Sequence, residues 1–264
     1  MKTLNLWMSA LAVALAVSVA GAGPAGAEDA APDAEAIARD AHLNMYYAAG
    51  DGTAQVDMHI TDRRGKTRER SFAMLRRDTE DGGEQKYFVY FHKPRDVRRT
   101  TFMVWKDPAA DDARWIFIPA LDLIKPISAS DKRSSFVGSD FSYEDVSGRH
   151  WSADMHTYLR EDTERDRPVH VIESTPREDE GFARIVRFID QEYLLPVRED
   201  WYDEDGTVIK TFESLRTEEV DGVRTIVSRR MTSPEDNSFT EVSFREIGYD
   251  VGLEDDLFQE RYMK

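Results

Sequence analysis

Residues able to carry covalent or metal chemistry are present in this chain, but they are not grouped. Six histidines stand at 42, 59, 92, 150, 156 and 170. His150 and His156 straddle Trp151, which is not metal-ligand spacing. Asp203-x-Asp205-Gly206 opens like a calcium loop and lacks the later ligands, so a hairpin turn is the better reading. Asp107 with Asp111 and Asp112 is equally unsupported. There is no Gly-x-Ser-x-Gly, no His-Glu-x-x-His and no glycine-rich phosphate loop, so the sequence offers neither a catalytic constellation nor a cofactor site. With no cysteine, disulfides, thiol nucleophiles, Cys-based zinc sites and a lipid-modified cysteine are excluded. The expectation is a protein that is not an enzyme and holds no metal or cofactor.

The apolar residues are the organised ones. Lys2, the apolar stretch Leu4 to Ala20 and the small-residue exit Ala25-Gly26-Ala27 together make a secretory signal peptide over 1–27. Residues 28–264 are then the mature chain, expected as one domain. No second apolar segment of spanning length follows, so that chain is expected to be soluble. Only Lys2 of the 35 basic residues lies in the leader, leaving 34 against 51 acidic residues, a formal charge of −17. Such a surface disfavours nucleic acid and bare anionic membrane. A monomer is expected.

After a short lead-in, residues 35–49 carry an apolar stripe at helical spacing (Ile37, Ala41, Met45, Ala48), with Asp33 as N-cap. The period then changes to two. Val56, Met58 and Ile60 share one face of 53–61, and similar segments follow at 66–77, 85–93, 100–106, 114–118, 153–161, 168–175, 183–190, 196–203, 207–218, 223–233 and 238–248. Gly/Asp turns separate them, which predicts an antiparallel meander of 11–12 strands. That many strands should curl. Residues 253–259 read as a short helical turn. Two segments, Tyr87 to Phe91 and Trp115 to Ile118, are apolar on both faces and so need two apolar neighbours. An ordinary core explains most of this; a ligand cavity is the alternative.

Residues 114–146, RWIFIPALDLIKPISASDKRSSFVGSDFSYEDV, carry a specific pattern. Trp115, Pro119, Ala120 and Leu121 form a strand and its exit. Ile127, Ser128, Ser130, Asp131, Ser135, Phe136, Gly138, Ser139, Asp140, Phe141, Ser142, Tyr143, Glu144 and Asp145 form a loop. Phe91-x-x-Pro94-x-Asp96-Val97, Val171 to Pro176, Leu195-Pro196-x-Arg198 and Gly252-Leu253 through Tyr262 are collinear with it. The chain resembles the outer-membrane lipoprotein-sorting family, the LolA-like periplasmic carriers. Arg99 departs from the family's usual glycine before Thr100.

The resemblance implies a mainly β fold: a strongly curved antiparallel sheet forming a half-open barrel, with helices covering or plugging its concave side. It implies a periplasmic carrier of lipid or acylated lipoprotein, working with an inner-membrane exporter of the resistance-nodulation-division (RND) superfamily. The cargo does not carry over. Each sheltered CH₂ gains about 0.8 kcal/mol, so one acyl chain gains on the order of 10 kcal/mol, and release needs a lid or a better acceptor. The cavity candidates are Met58, Ile60, Phe72, Met74, Phe88, Tyr90, Phe102, Val104, Trp115 and Phe117; alternation fixes their pairing and not which face lines the cavity. The lid candidates are Ile127, Phe136, Phe141 and Tyr143, in a loop that could equally be a rigid plug. On this reading Phe136→Asp abolishes cargo binding with the fold intact, whereas Trp115→Asp harms the fold. The rival is an envelope sensor or adaptor that binds lipid or outer-membrane protein and signals to a membrane partner; a second interaction domain after the barrel would be expected for it.

Overall fold

A computed structural model describes residues 31–264. The leader expected at 1–27 lies outside them. Asp33 caps helix α1 (Ala34–Tyr46) by accepting from the backbone N–H groups of Glu35 and Ala36 at 3.0 and 3.3 Å.

Thirteen antiparallel strands follow: β1 (Asp51–Thr61), β2 (Thr67–Asp78), β3 (Gln85–Lys93), β4 (Thr101–Lys106), β5 (Ala113–Ile118), β6 (Leu123–Ile127), β7 (Asp154–Glu164), β8 (Arg167–Pro176), β9 (Arg184–Asp190), β10 (Pro196–Tyr202), β11 (Val208–Val220), β12 (Val223–Ser233) and β13 (Ser238–Tyr249). β6 went unread in the sequence. It is an edge strand carrying Pro126, whose missing N–H is tolerated there. The stretch Asp203 to Gly206 is the turn between β10 and β11, with the Asp203 carboxylate accepting the Thr207 N–H at 2.7 Å.

All thirteen strands join one curved, unclosed sheet in the order β6-β5-β4-β3-β2-β1-β13-β12-β11-β10-β9-β8-β7. β1 pairs with β13, so the first and last strands close the ladder at its middle. The two free edges, β6 and β7, are consecutive in sequence. Register shifts within the β1/β13, β7/β8 and β11/β12 pairs mark bulges, which bend and twist a sheet.

The chain between the two edges, residues 128–153, must therefore cross the opening. It does so as a plug containing the short helix α2 (Tyr143–Ser147), capped by a reciprocal Ser142–Asp145 box. Phe136, Phe141 and Val146 of the plug pack on the concave face against Val56, Met58, Ile60, Phe72, Phe91, Phe102 and Val104. The convex face of β3–β5 is covered by the C-terminal segment: Phe258 and Met263 are fully buried on Phe88, Met103 and Phe117. The doubly apolar strands are thus sandwiched between plug and C-terminus, and need no ligand to explain them.

Candidate functional site

The plug fills only one half of the concave side. Phe136 is 1% exposed, with its ring 5.4 to 6.2 Å from those of Phe72, Phe91, Phe102 and Tyr143. The other half, over β9–β12, holds a cavity of about 310 Å³ roofed by α1 and bordered by α2. Its apolar walls include Ala38, Ala41 and Met45 of α1 and Ile185, Ile189, Phe212 and Met231 of the sheet. A smaller chamber of about 120 Å³ lies over β1, β12 and β13, and Met45, Tyr46 and Arg229 line both. The larger volume falls at the lower end of the range for small-molecule sites, about 300–1,000 Å³.

Strong polar contacts pin the plug. The Asp140 backbone N–H donates to Thr240 Oγ1 at 3.0 Å, and the hydroxyls of Thr240 and Ser238 donate back to the Asp140 carboxylate. Lys210 of β11 pairs with Asp145. Glu180, in the β8–β9 connection, accepts from Lys132, Arg133 and Arg149 at 2.7 to 2.9 Å. Burial pushes the Glu180 carboxyl up, but the hydrogen bonds from Lys132 and Arg149 and the charges of Arg149 and Arg133 outweigh it, taking its pKa down to about 2. A carboxyl depressed in the folded state stabilises above its unfolded pKa and loses that contribution as pH falls towards its folded pKa. Glu180→Gln is therefore expected to lower the melting temperature at pH 7. The gap from the unsubstituted protein should narrow between about pH 4.5 and 2, measured by thermal unfolding across that range.

At the α1 end of the cavity the chain has local constraints. Lys106 is buried and donates to the carbonyls of Ser147 and Gly148 at 2.8 and 2.7 Å, closing the C-terminal end of α2. Burial pulls its pKa down to about 8. Gly148 has φ +78°, and a Cβ there would stand 2.5 Å from the Tyr46 ring, so both conformation and space require glycine. His42 and His150, far apart in sequence, stack edge-on at 5.2 Å. Burial lowers both, His150 to about 4. His156 contacts Ser174 Oγ at 2.8 Å and the Trp151 carbonyl at 2.9 Å. Ser174 is fully buried and the histidine's other partner is a carbonyl, not a carboxylate, so the pair lacks the reach and the orienting acid of a nucleophilic triad.

Solved structures match this geometry. A DUF1329 family protein from Desulfovibrio piger is 28% identical with a TM-score of 0.81, covering 88% of this chain and 100% of its own. A putative outer membrane lipoprotein-sorting protein domain from Vibrio parahaemolyticus is 25% identical with a TM-score of 0.79, covering 87% and 97%. A LolA superfamily protein from Nitrosomonas europaea shares the fold at 15% identity and a TM-score of 0.68, covering 88% and 100%. A family model whose description reads "Uncharacterized protein" matches residues 83–264. The chain belongs to the family of that model, and its fold is LolA-like. No curated protein matches it.

Within the LolA-like frame the ten cavity candidates divide by strand parity. Met58, Ile60, Phe72, Met74, Phe102 and Val104 point to the concave side, under the plug. Phe88, Tyr90, Trp115 and Phe117 point the other way, beneath the C-terminal segment, and are corrected to convex-face packing residues. All four lid candidates contact the concave cluster: Phe136 and Phe141 are buried, Tyr143 lies on α2, and Ile127 is the last residue of β6. The walls of the open cavity were missed. Ile185, Arg187 and Ile189 alternate on one strand, as do Arg229 and Met231, and a charged residue on the apolar parity was the available signal.

Proposed function

We propose that this LolA-like protein is a periplasmic carrier that shelters the acyl chains of a lipid or lipoprotein and does no covalent chemistry on them. The observation that carries the reading is the largely apolar cavity between α1, the plug and β9–β12. The lipoprotein-sorting name of the Vibrio relative supports it. Loading begins in that cavity and extends beneath the plug once the Asp140–Thr240 and Lys210–Asp145 contacts that hold it are broken. The leader at 1–27 supports export to the periplasm. The family resemblance alone supports an RND-type exporter as membrane partner. The test is transfer of a fluorescent phospholipid between donor and acceptor vesicles. Addition of the protein is expected to speed transfer in proportion to its concentration. No acceleration with any acyl donor would sink the reading.

A further inference from the structure

Most cations of the main cavity wall have a carboxylate within reach. Arg187 pairs with Glu199 and, at 3.5 Å, with Asp154. Lys210 holds Asp145, and Arg133 and Arg149 hold Glu180. Arg229 does not follow this pattern. Among the described residues no carboxylate lies within ion-pair distance of it, and its Nε is buried without a hydrogen-bond partner. Its guanidinium lies against two aromatic rings, 4.9 Å from the centre of Phe244 and 5.4 Å from that of Phe141. The nearby Asp145 carboxylate is taken by Lys210 and by the N–H and hydroxyl of Ser142.

The position of Arg229 is as informative as its lack of a partner. It borders the 310 Å³ cavity, the 120 Å³ chamber and the small apolar gap under Phe136, so it stands where all three spaces meet. Strand register puts it opposite Val242 and two residues from Met231, on the concave face. Burial pulls its pKa below the ordinary arginine value, and burial raises that of the Tyr46 hydroxyl against the pull of the Arg229 charge. An arginine stays protonated in proteins, so a desolvated guanidinium without a counter-ion is an unmet electrostatic demand. Flanking rings offset part of it; an acid offsets far more, because charge-assisted hydrogen bonds to carboxylate or phosphate are about twice as strong as neutral ones.

We infer that Arg229 is the seat for the acidic headgroup, carboxylate or phosphate, of an amphiphile whose chain lies along the apolar walls of the cavity. The inference rests on the carrier reading and narrows it to anionic cargo. A cavity with apolar wall segments, whose other cations are already paired with carboxylates, and with one cation that has no carboxylate partner selects molecules that have both a chain and an acid. A neutral amphiphile of equal length fills the walls and leaves the guanidinium unpaired.

Competition with a fluorescent acyl probe separates the possibilities, using dodecanoate, dodecyl phosphate, 1-dodecanol and inorganic phosphate on the same protein. Both acids are expected to bind about tenfold more tightly than the alcohol, the scale of one charged hydrogen bond. Inorganic phosphate alone should not compete. Arg229→Met should bring the ratio of acid to alcohol affinity down to about one, and Arg229→Lys should retain part of the preference. The wild-type comparison stands even where a variant folds poorly. Equal binding of acid and alcohol would overturn the inference and leave the carrier reading intact. Competition by inorganic phosphate at the same concentration as the acids would make this a free-anion site and overturn the headgroup assignment. Binding of none of them would overturn the inference and the carrier reading together.

Discussion

Phe136→Ala is expected to destabilise the protein by about 3–5 kcal/mol and, at the same time, to increase the acyl cargo it holds. The side chain is 1% exposed and touches rings from β2, β3, β4 and α2, so its removal leaves a hole that the sheet cannot collapse to fill. That hole opens next to the apolar gap under the plug and joins it to the existing cavity. Denaturant unfolding measures the first effect and saturation with a fluorescent fatty acid the second. Phe117→Ala is the control: it is equally buried, on the convex face, and should lower stability without changing capacity. Equal capacity in both variants would separate the plugged half from the ligand space. The burial of Phe136 also reverses a sequence-based expectation. Phe136→Asp would place an unpaired carboxylate in the core and endanger the fold, whereas Trp115 is only partly buried on the outer face.

Stapling the plug should have the second large effect. The chain has no cysteine, so Asp140→Cys with Thr240→Cys introduces a single pair. The Thr240 hydroxyl donates to the Asp140 carboxylate at 2.5 Å, so the two side chains face each other. The oxidised form closes a loop of about 100 residues and is expected to exceed the reduced form in stability by up to about 4 kcal/mol. Loading of a fluorescent lipid should fall to background when oxidised and return on reduction. Loading at the same rate in both forms would show that cargo does not pass the plug.

The fold was legible because the chain states it twice. Period-two alternation in twelve segments gave the meander, and the motif from Trp115 to Asp145 gave its family. β6 was missed because Leu123–Ile127 is short, half exposed and carries Pro126, so no alternation marks it. The site was less legible, for a physical reason. Alternation separates two sets of residues in β3 to β5, but which set faces the concavity depends on what covers each side. Phe258 and Met263, more than a hundred residues away, decide that by packing on Phe88, Met103 and Phe117. The position of the cavity depends in turn on how far the plug reaches across the sheet. The plug's loop was visible in sequence; that it would fill the half nearest β1–β4 and leave β9–β12 open was not.

The most direct test weighs the protein with whatever it carries. Residues 28–264, exported to a periplasm and purified without detergent, would be examined by native mass spectrometry and the lipid extract of the same sample identified. The account predicts a near-stoichiometric added mass that belongs to an acyl-bearing molecule and is lost on organic extraction. A bare protein mass that stays bare after incubation with phospholipid, fatty acid and acylated peptide would contradict it.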